Sequence, residues 1–184
     1  VGEVYLTAHQ ALFWLGDLQA GETVLIHAGA SGVGTAAIQL ALRSGARIGV
    51  TAGSKQKLDA CARLGADFGV DYHRADFSTP VLEATDGRGA DVILDFIGAP
   101  YFAKNLKCLA TDGRLVILSF LGGTRLKDVN LAPLLLKRIH ILGSTLRSRS
   151  LDYRAALAAE FSRRWLPLFA TAELKPVVDR VFAW

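Results

Sequence analysis

Short β-branched runs alternate with helical periods along most of this chain. Near the start, Tyr5, Ala8, Leu12 and Leu15 recur at the spacing of one helical face. A turn through Gly16, Asp17 and Gly21 separates them from Thr23-Val24-Leu25-Ile26-His27, a buried strand by its apolar run. A glycine-rich turn then opens a helix over 33–43, with Val33, Ala37, Leu40 and Ala41 on its apolar face and Gly45 placed to end it. The alternation continues with a strand over 47–51, a helix over 55–64 stopped by Gly65, and a short strand over 68–70. Thr79-Pro80 reads as an N-cap followed by a proline at the first helical position. A fourth strand over 91–96 precedes a helix opening near Pro100. A fifth over 114–119 precedes the Gly122-Gly123 loop and a helix after Asn130, and a sixth runs over 140–145. In the long helix over 151–169, Asp152 and Arg163-Arg164 sit where the helix dipole favours their charges. The tail from Pro176 to Trp184 reads as a seventh strand leaving the domain.

Six strands alternating with helices predict an α/β fold, a doubly wound, parallel, six-stranded Rossmann sheet with helices on both faces. The strands are apolar enough for a sheet covered on both sides. A length of 184 residues fits one such domain, here 1–184.

Composition changes this picture in a few places. A makeup of 51% hydrophobic and 21% charged residues excludes disorder. The net charge of +4 is spread along the chain, so it does not single out nucleic acid and fits an anionic small ligand equally well. No apolar run approaches the roughly 18 residues of a membrane span, and Leu131 to Leu136 reads as a core helix. Cys61 and Cys108 fall in helices without a C-x-x-C pairing, which predicts a reducing, cytoplasmic setting and thiols used as apolar filler. His9, His27, His73 and His140 lack metal-ligand spacing, so no metal site is expected, and His27 at a strand end reads as structural. Val1-Gly2-Glu3 carries no signal-peptide pattern, and with methionine absent the chain reads as a piece of something longer.

The central chemical signal is Ala28-Gly29-Ala30-Ser31-Gly32-Val33-Gly34, continuing to Ala37. Gly32, Gly34 and Ala37 satisfy G-x-G-x-x-A between a strand and a helix. In that pattern Gly32 makes the tight turn, Gly34 admits a pyrophosphate and Ala37 keeps the helix close to the sheet. Free N–H groups and the dipole at the helix start favour a phosphate there. An acid about 20 residues further on would select NAD by binding the ribose 2′-OH. Instead Thr51-Ala52-Gly53-Ser54-Lys55-Gln56-Lys57 offers hydroxyls and two ammoniums, with Tyr72 a further donor just past the third strand. NADPH is therefore the expected cofactor.

Gly21-Glu22-Thr23-Val24-Leu25-Ile26-His27, Ala30-Ser31-Gly32-Val33-Gly34 and Gln39 resemble the quinone oxidoreductase (zeta-crystallin-like) branch of the medium-chain dehydrogenases/reductases. Thr51-Ala52-Gly53-Ser54, Leu121-Gly122-Gly123 and Leu146-Arg147-Ser148-Arg149 sharpen it toward the tumour-suppressor-inducible quinone oxidoreductases. The resemblance implies a zinc-independent enzyme passing hydride from NADPH to quinones or related conjugated carbonyls. It implies pyrophosphate contacts from Ala30, Ser31, Gly32, Val33 and Gly34, and a 2′-phosphate pocket at Gly53, Ser54, Lys57 and Tyr72. Ile97 and Gly98 would border the ribose–nicotinamide region. Phe120, Leu121, Gly122, Gly123, Thr145, Leu146 and Arg147 would line the nicotinamide side, with Thr7 close to the ring. Phe120 and Leu121 read equally as core residues, and Arg147 and Arg149 as surface charges. Family members also carry a separate, mostly β substrate-binding domain, which is absent from this chain, and the isolated piece is expected to turn over slowly or not at all.

No catalytic residue stands out. Asp91 and Asp95 share a strand face, but about 13 Å between Cα atoms is too far for a carboxylate pair, and Asp95 reads as an organiser of the loop beside the cofactor. Ser31 does not sit in G-x-S-x-G. An enoyl or alkenal reductase of the same superfamily, or an NADPH-sensing binding module, are the alternatives to quinone reduction. The sixth strand, with Ile139, Ile141, Leu142 and Leu146, reads as a sheet edge able to pair with a second copy in a homodimer.

Overall fold

The computed structural model describes residues 2–178, 180 and 181. The strands are β1 (Thr23–Ile26), β2 (Arg47–Ala52), β3 (Phe68–Asp71), β4 (Ala90–Asp95), β5 (Leu109–Ile117) and β6 (His140–Gly143). The helices are α1 (Gly2–His9), α2 (Gly32–Arg43), α3 (Lys55–Arg63), α4 (Ser78–Ala84), α5 (Ala99–Cys108), α6 (Ala132–Leu136) and α7 (Leu151–Ala170). Helix α1 widens into a π-helical segment, Gln10–Leu15. The strands form one sheet in the order β3-β2-β1-β4-β5-β6, every pair parallel. This is the expected Rossmann sheet, and its order reverses between β1 and β4, where such sheets open a crevice at the carboxyl ends of the strands.

Period-two alternation divides the core. Val24, Ile26, Val92, Leu94 and Val116 face one side with Tyr5, Leu12, Ile38, Leu40, Phe161 and Trp165, which belong to α1, the π segment, α2 and α7. Leu25, Ile93 and Leu115 face the other with Phe77, Val81 and Leu106. Across the first layer, Trp165 Nε1 donates to His9 Nδ1 at 3.1 Å and Tyr5 Oη donates to the Lys175 carbonyl at 2.9 Å.

Several expectations need correction. Helix α4 starts at Ser78, because Asp76 Oδ1 accepts from both the Ser78 N–H at 3.0 Å and its hydroxyl at 2.8 Å. Pro80 is thus the third helical residue, still within the turn whose N–H groups have no helical acceptor. Strand β5 begins at Leu109, five residues before its apolar run, through a register shift against β4 that carries Asp112 at φ 60°. Strand β6 stops at Gly143. Helix α6 is no core helix: none of its residues is buried, and Leu135 and Leu136 are 82% and 76% exposed. With five residues it makes little more than one turn, and only Leu134 packs against the core. Pro176 to Val178, Arg180 and Val181 form no strand, and the rest of the expected seventh strand lies outside the described residues.

Candidate dinucleotide site

The β1–α2 turn is built around Ser31 and Gly34. Ser31 caps α2, its Oγ accepting the Gly34 N–H at 3.1 Å. The Gly32 and Val33 N–H groups precede any intrahelical acceptor, so the first turn keeps donors for an anion. Gly34 has a packing reason to be glycine, since a Cβ there would lie 2.5 Å from the Ala28 carbonyl oxygen and 2.6 Å from that of Gly29. Above Gly32 the space is open but for Val4 at 3.3 Å.

Beside this turn is a cavity of about 190 Å³ that gathers Ala30, Ser31, Gly53, Lys57, Tyr72 and Ile97, six of the residues expected at the cofactor. Ala28, Thr51, Ala52 and Tyr101 complete its lining, and no carboxylate contributes. The two candidate lysines separate here. Lys55 Nζ is held by the Asp59 carboxylate at 2.8 and 2.9 Å, whereas Lys57 lines the cavity and makes no ion pair among the described residues. Ser54 caps α3 through the Lys57 N–H at 3.3 Å. Gly53 lies so close to Tyr72 that a Cβ would stand 2.6 Å from the phenol oxygen. Tyr101 has no local sequence signal, because it reaches the cavity through ring contacts with His27 and Phe77, remote in sequence, each at 4.8 Å. Burial pushes its phenol up to about 12.

Beneath this cavity four fully buried polar residues form a chain of hydrogen bonds. Thr51 Oγ1 lies 3.0 Å from His27 Nδ1, and His27 Nε2 lies 2.8 Å from Asn105 Oδ1. Asn105 Nδ2 donates to Asp95 Oδ2 at 3.0 Å, while Asp95 Oδ1 accepts the N–H groups of Ile97 at 2.7 Å and Gly98 at 3.1 Å. Asp95 thus organises the β4–α5 turn as expected, and desolvation raises its pKa against those hydrogen bonds. His27 is structural as expected, with burial pushing its pKa down to about 4. Asp91 is spent elsewhere, on Arg88 and on the Thr23 N–H at 2.7 Å.

A second cleft of about 470 Å³ brings Thr7 together with Thr145, Leu146 and Arg147, adding Glu3, Leu118, Ser144 and Ser148. Arg149 instead stacks over the Tyr153 ring at 4.7 Å. Gly122 and Gly123 line a third cleft of about 580 Å³ with Pro100 and residues 124–129. Phe120 and Leu121 are 51% and 77% exposed, so they are not core residues. Their loop is tied to the β4–α5 turn: Leu121 N–H donates to Phe96 O at 3.0 Å, Gly122 N–H to Ile97 O at 2.8 Å and Ala99 N–H to Gly123 O at 3.0 Å. Gly98 lies at φ 84°, and a Cβ on it would meet Phe120 Cδ1 at 2.6 Å. Apart from Glu3 and Thr7 on α1 and the α5 residues, the lining residues lie at or beyond the carboxyl ends of the strands, where open α/β sheets bind ligands.

Among the described residues no three His, Cys, Asp or Glu side chains gather to hold a metal ion. Burial raises both thiols, Cys108 to about 12, so neither is poised as a thiolate ligand.

The family described as "Zinc-binding dehydrogenase" matches residues 32–162. An enoyl reductase domain of a polyketide synthase, so described, superposes with a TM-score of 0.78 at 33% identity, covering 95% of each chain. Pseudomonas syringae quinone oxidoreductase gives 0.80 at 31% identity over 95% of this chain and 53% of that one. The mycobacterial protein Rv1454c in complex with NADPH gives 0.84 at 28% identity over 97% of this chain and 55% of that one. Curated relatives include a phenolphthiocerol/phthiocerol polyketide synthase of Mycobacterium tuberculosis, 46% identical over 86 residues, or 47% of this chain. That match spans only 4% of the relative's length.

Proposed function

The chain belongs to the zinc-binding dehydrogenase family, and from that premise we propose that it is the NADPH-binding domain of an oxidoreductase acting on conjugated carbonyl compounds. The observation that carries the cofactor choice is the cavity at the end of β2, which presents Lys57 and Tyr72 and no carboxylate. A 2′-phosphate gains a cation and a phenol donor there and meets no like charge. The first-turn N–H groups of α2 take the pyrophosphate, and the cleft of Thr7 and Thr145–Arg147 takes the nicotinamide end. Bound NADPH supplies the hydride; the chain binds it, orients it and excludes water.

Quinones are one class of acceptor, with hydride transfer followed by protonation from solvent. Two observations favour an enoyl thioester instead: the likeness to a polyketide synthase enoyl reductase domain over nearly the full length of both chains, and the polyketide synthase relatives. In either case we propose that the substrate-binding part lies in chain outside these residues, since they span 53% and 55% of the quinone oxidoreductase and of Rv1454c. The proposed assembly is a homodimer paired through β6. A cytoplasmic setting is proposed from the two buried, free cysteines. No helix among the described residues is long and apolar enough to cross a membrane.

Calorimetric titration with NADPH and NADH, alongside Lys57→Ala, tests this reading. One charge-assisted hydrogen bond contributes about 1.5–3 kcal/mol, so NADPH should bind about ten- to a hundredfold more tightly than NADH, and the variant should lose that margin. Equal binding unaffected by the substitution would remove the NADPH assignment. NADPH oxidation by the protein together with its substrate-binding part, offered a benzoquinone and a crotonyl thioester in turn, separates the two acceptors.

A further inference from the structure

The buried hydrogen bonds under the cavity have a defined direction. Asn105 gives its amide N–H to the Asp95 carboxylate, so its oxygen is an acceptor and His27 must donate to it from Nε2. A neutral imidazole protonated at Nε2 accepts at Nδ1, so the Thr51 hydroxyl donates there. All three partners of Asp95 are donors, which suits a carboxylate and leaves an acid proton no acceptor. Every polar group along the line from Thr51 to Asp95 is therefore satisfied in one arrangement.

This line starts in the wall of the Lys57–Tyr72 cavity and ends at a turn that reaches beyond it. Thr51 is in the wall of the Lys57–Tyr72 cavity. Asp95 holds the Ile97–Gly98 turn; Ile97 borders the same cavity, but the turn also grips the Phe120–Gly123 loop, none of whose residues lines that cavity, through the Gly122 and Ala99 N–H bonds. Asn105 and His27 line none of the three clefts and are fully buried, so neither touches the cofactor. We propose that Asn105, with His27, is a positioning residue that fixes the distance between the adenosine end of the site and the loop at its nicotinamide end. This role rests on the dinucleotide reading above and goes beyond it by assigning residues that hold the two ends in register.

A ligand that spans both ends should feel the loss of this connection more than one that occupies only the first. The test compares NADPH with adenosine 2′,5′-bisphosphate, which carries only the adenosine end, on wild type, Asn105→Ser, His27→Leu and His27→Gln. For Asn105→Ser and His27→Leu, NADPH binding should weaken by about three- to thirtyfold while the bisphosphate changes by less than about twofold. His27→Gln, whose amide N–H can replace the imidazole donor to Asn105, should stay within about twofold of wild type for both ligands. If Asn105→Ser does not fold, the contrast between the two His27 variants decides the matter. NADPH binding unchanged in the disrupting variants, or both ligands weakened alike, would overturn the positioning role and leave the dinucleotide site standing. A folded wild type that binds neither ligand would overturn the dinucleotide reading, and the positioning role with it.

Discussion

At the scale of single residues, two side chains of one type in the same short segment do different work. Lys55 and Lys57 both follow β2, yet Lys55 is one helical turn from Asp59 and pairs with it, while Lys57 has no acid at that spacing and lines the cavity. An exposed pair at that spacing contributes only about 0.3–0.5 kcal/mol, so Lys55 is a surface feature of α3. Gly34 is equally local in its cause. A Cβ 2.5 Å from the Ala28 carbonyl oxygen meets backbone that cannot swing away, so Gly34→Ala should lower stability by about 1–3 kcal/mol, read as a shift of the urea midpoint at constant slope. An unchanged midpoint would mean that the β1–α2 turn yields more readily than its contacts suggest.

At the scale of elements, periodicity and stop signals located the six strands and seven helices of the described residues, most of which bury a regular face. The misses have physical causes of their own. The opening of α4 was decided by the Asp76 side chain, which captures the Ser78 N–H and outcompetes a Thr-Pro start. The early start of β5 depends on partners remote in sequence: Lys137 Nζ donates to the carbonyls of Leu106, Lys107 and Leu109 at 3.2, 2.8 and 2.8 Å, while Arg138 forks onto Asp112. Helix α6 lies where expected but outside the core, because a run of leucines reports apolarity, not where the apolar face can go. Its exposed leucines lie just before β6, which among the described residues is a sheet edge paired only with β5, and where Ile141 is 39% exposed. An unpaired apolar edge of this kind is a template for another strand. Sedimentation at micromolar concentration should therefore give the mass of two chains, and Ile141→Lys should return it to one. A wild-type mass of one chain would dismiss the dimer.

At the scale of the whole molecule, the buried histidine ties stability to pH. His27 titrates near 4 when folded because it is fully buried, against about 6.5 when unfolded. Between those values the unfolded chain binds the proton and the folded one does not. Stability is therefore complete above about pH 6.5 and falls as the pH drops toward 4, by up to about 3 kcal/mol. His9, lowered first by its own burial, acts in the same sense. Asp95, raised by desolvation, acts oppositely in the carboxylate range. Denaturant midpoints at pH 7.5 and pH 5 should differ accordingly, and His27→Gln should flatten the difference. An equal slope in that variant would place the dependence elsewhere.

The sequence by itself determined the parallel sheet and the glycine turn between β1 and α2, and it offered Lys55, Lys57 and Tyr72 as candidates beside that turn. Each of these follows from local causes: alternating burial, a glycine where a backbone carbonyl leaves no room, and the lack of an acid after β2. It also marked Asp95 as an organiser of its own turn, since that turn is two residues away. Only the tertiary structure decided that Thr51, His27, Asn105 and Asp95 share one line of hydrogen bonds, that Tyr101 enters the cavity, and that Glu3 joins Thr7 and Arg147 in one cleft. Those juxtapositions depend on which strands are neighbours. Strand order is set by how the two layers of the core pack, and no short stretch of the chain carries that information.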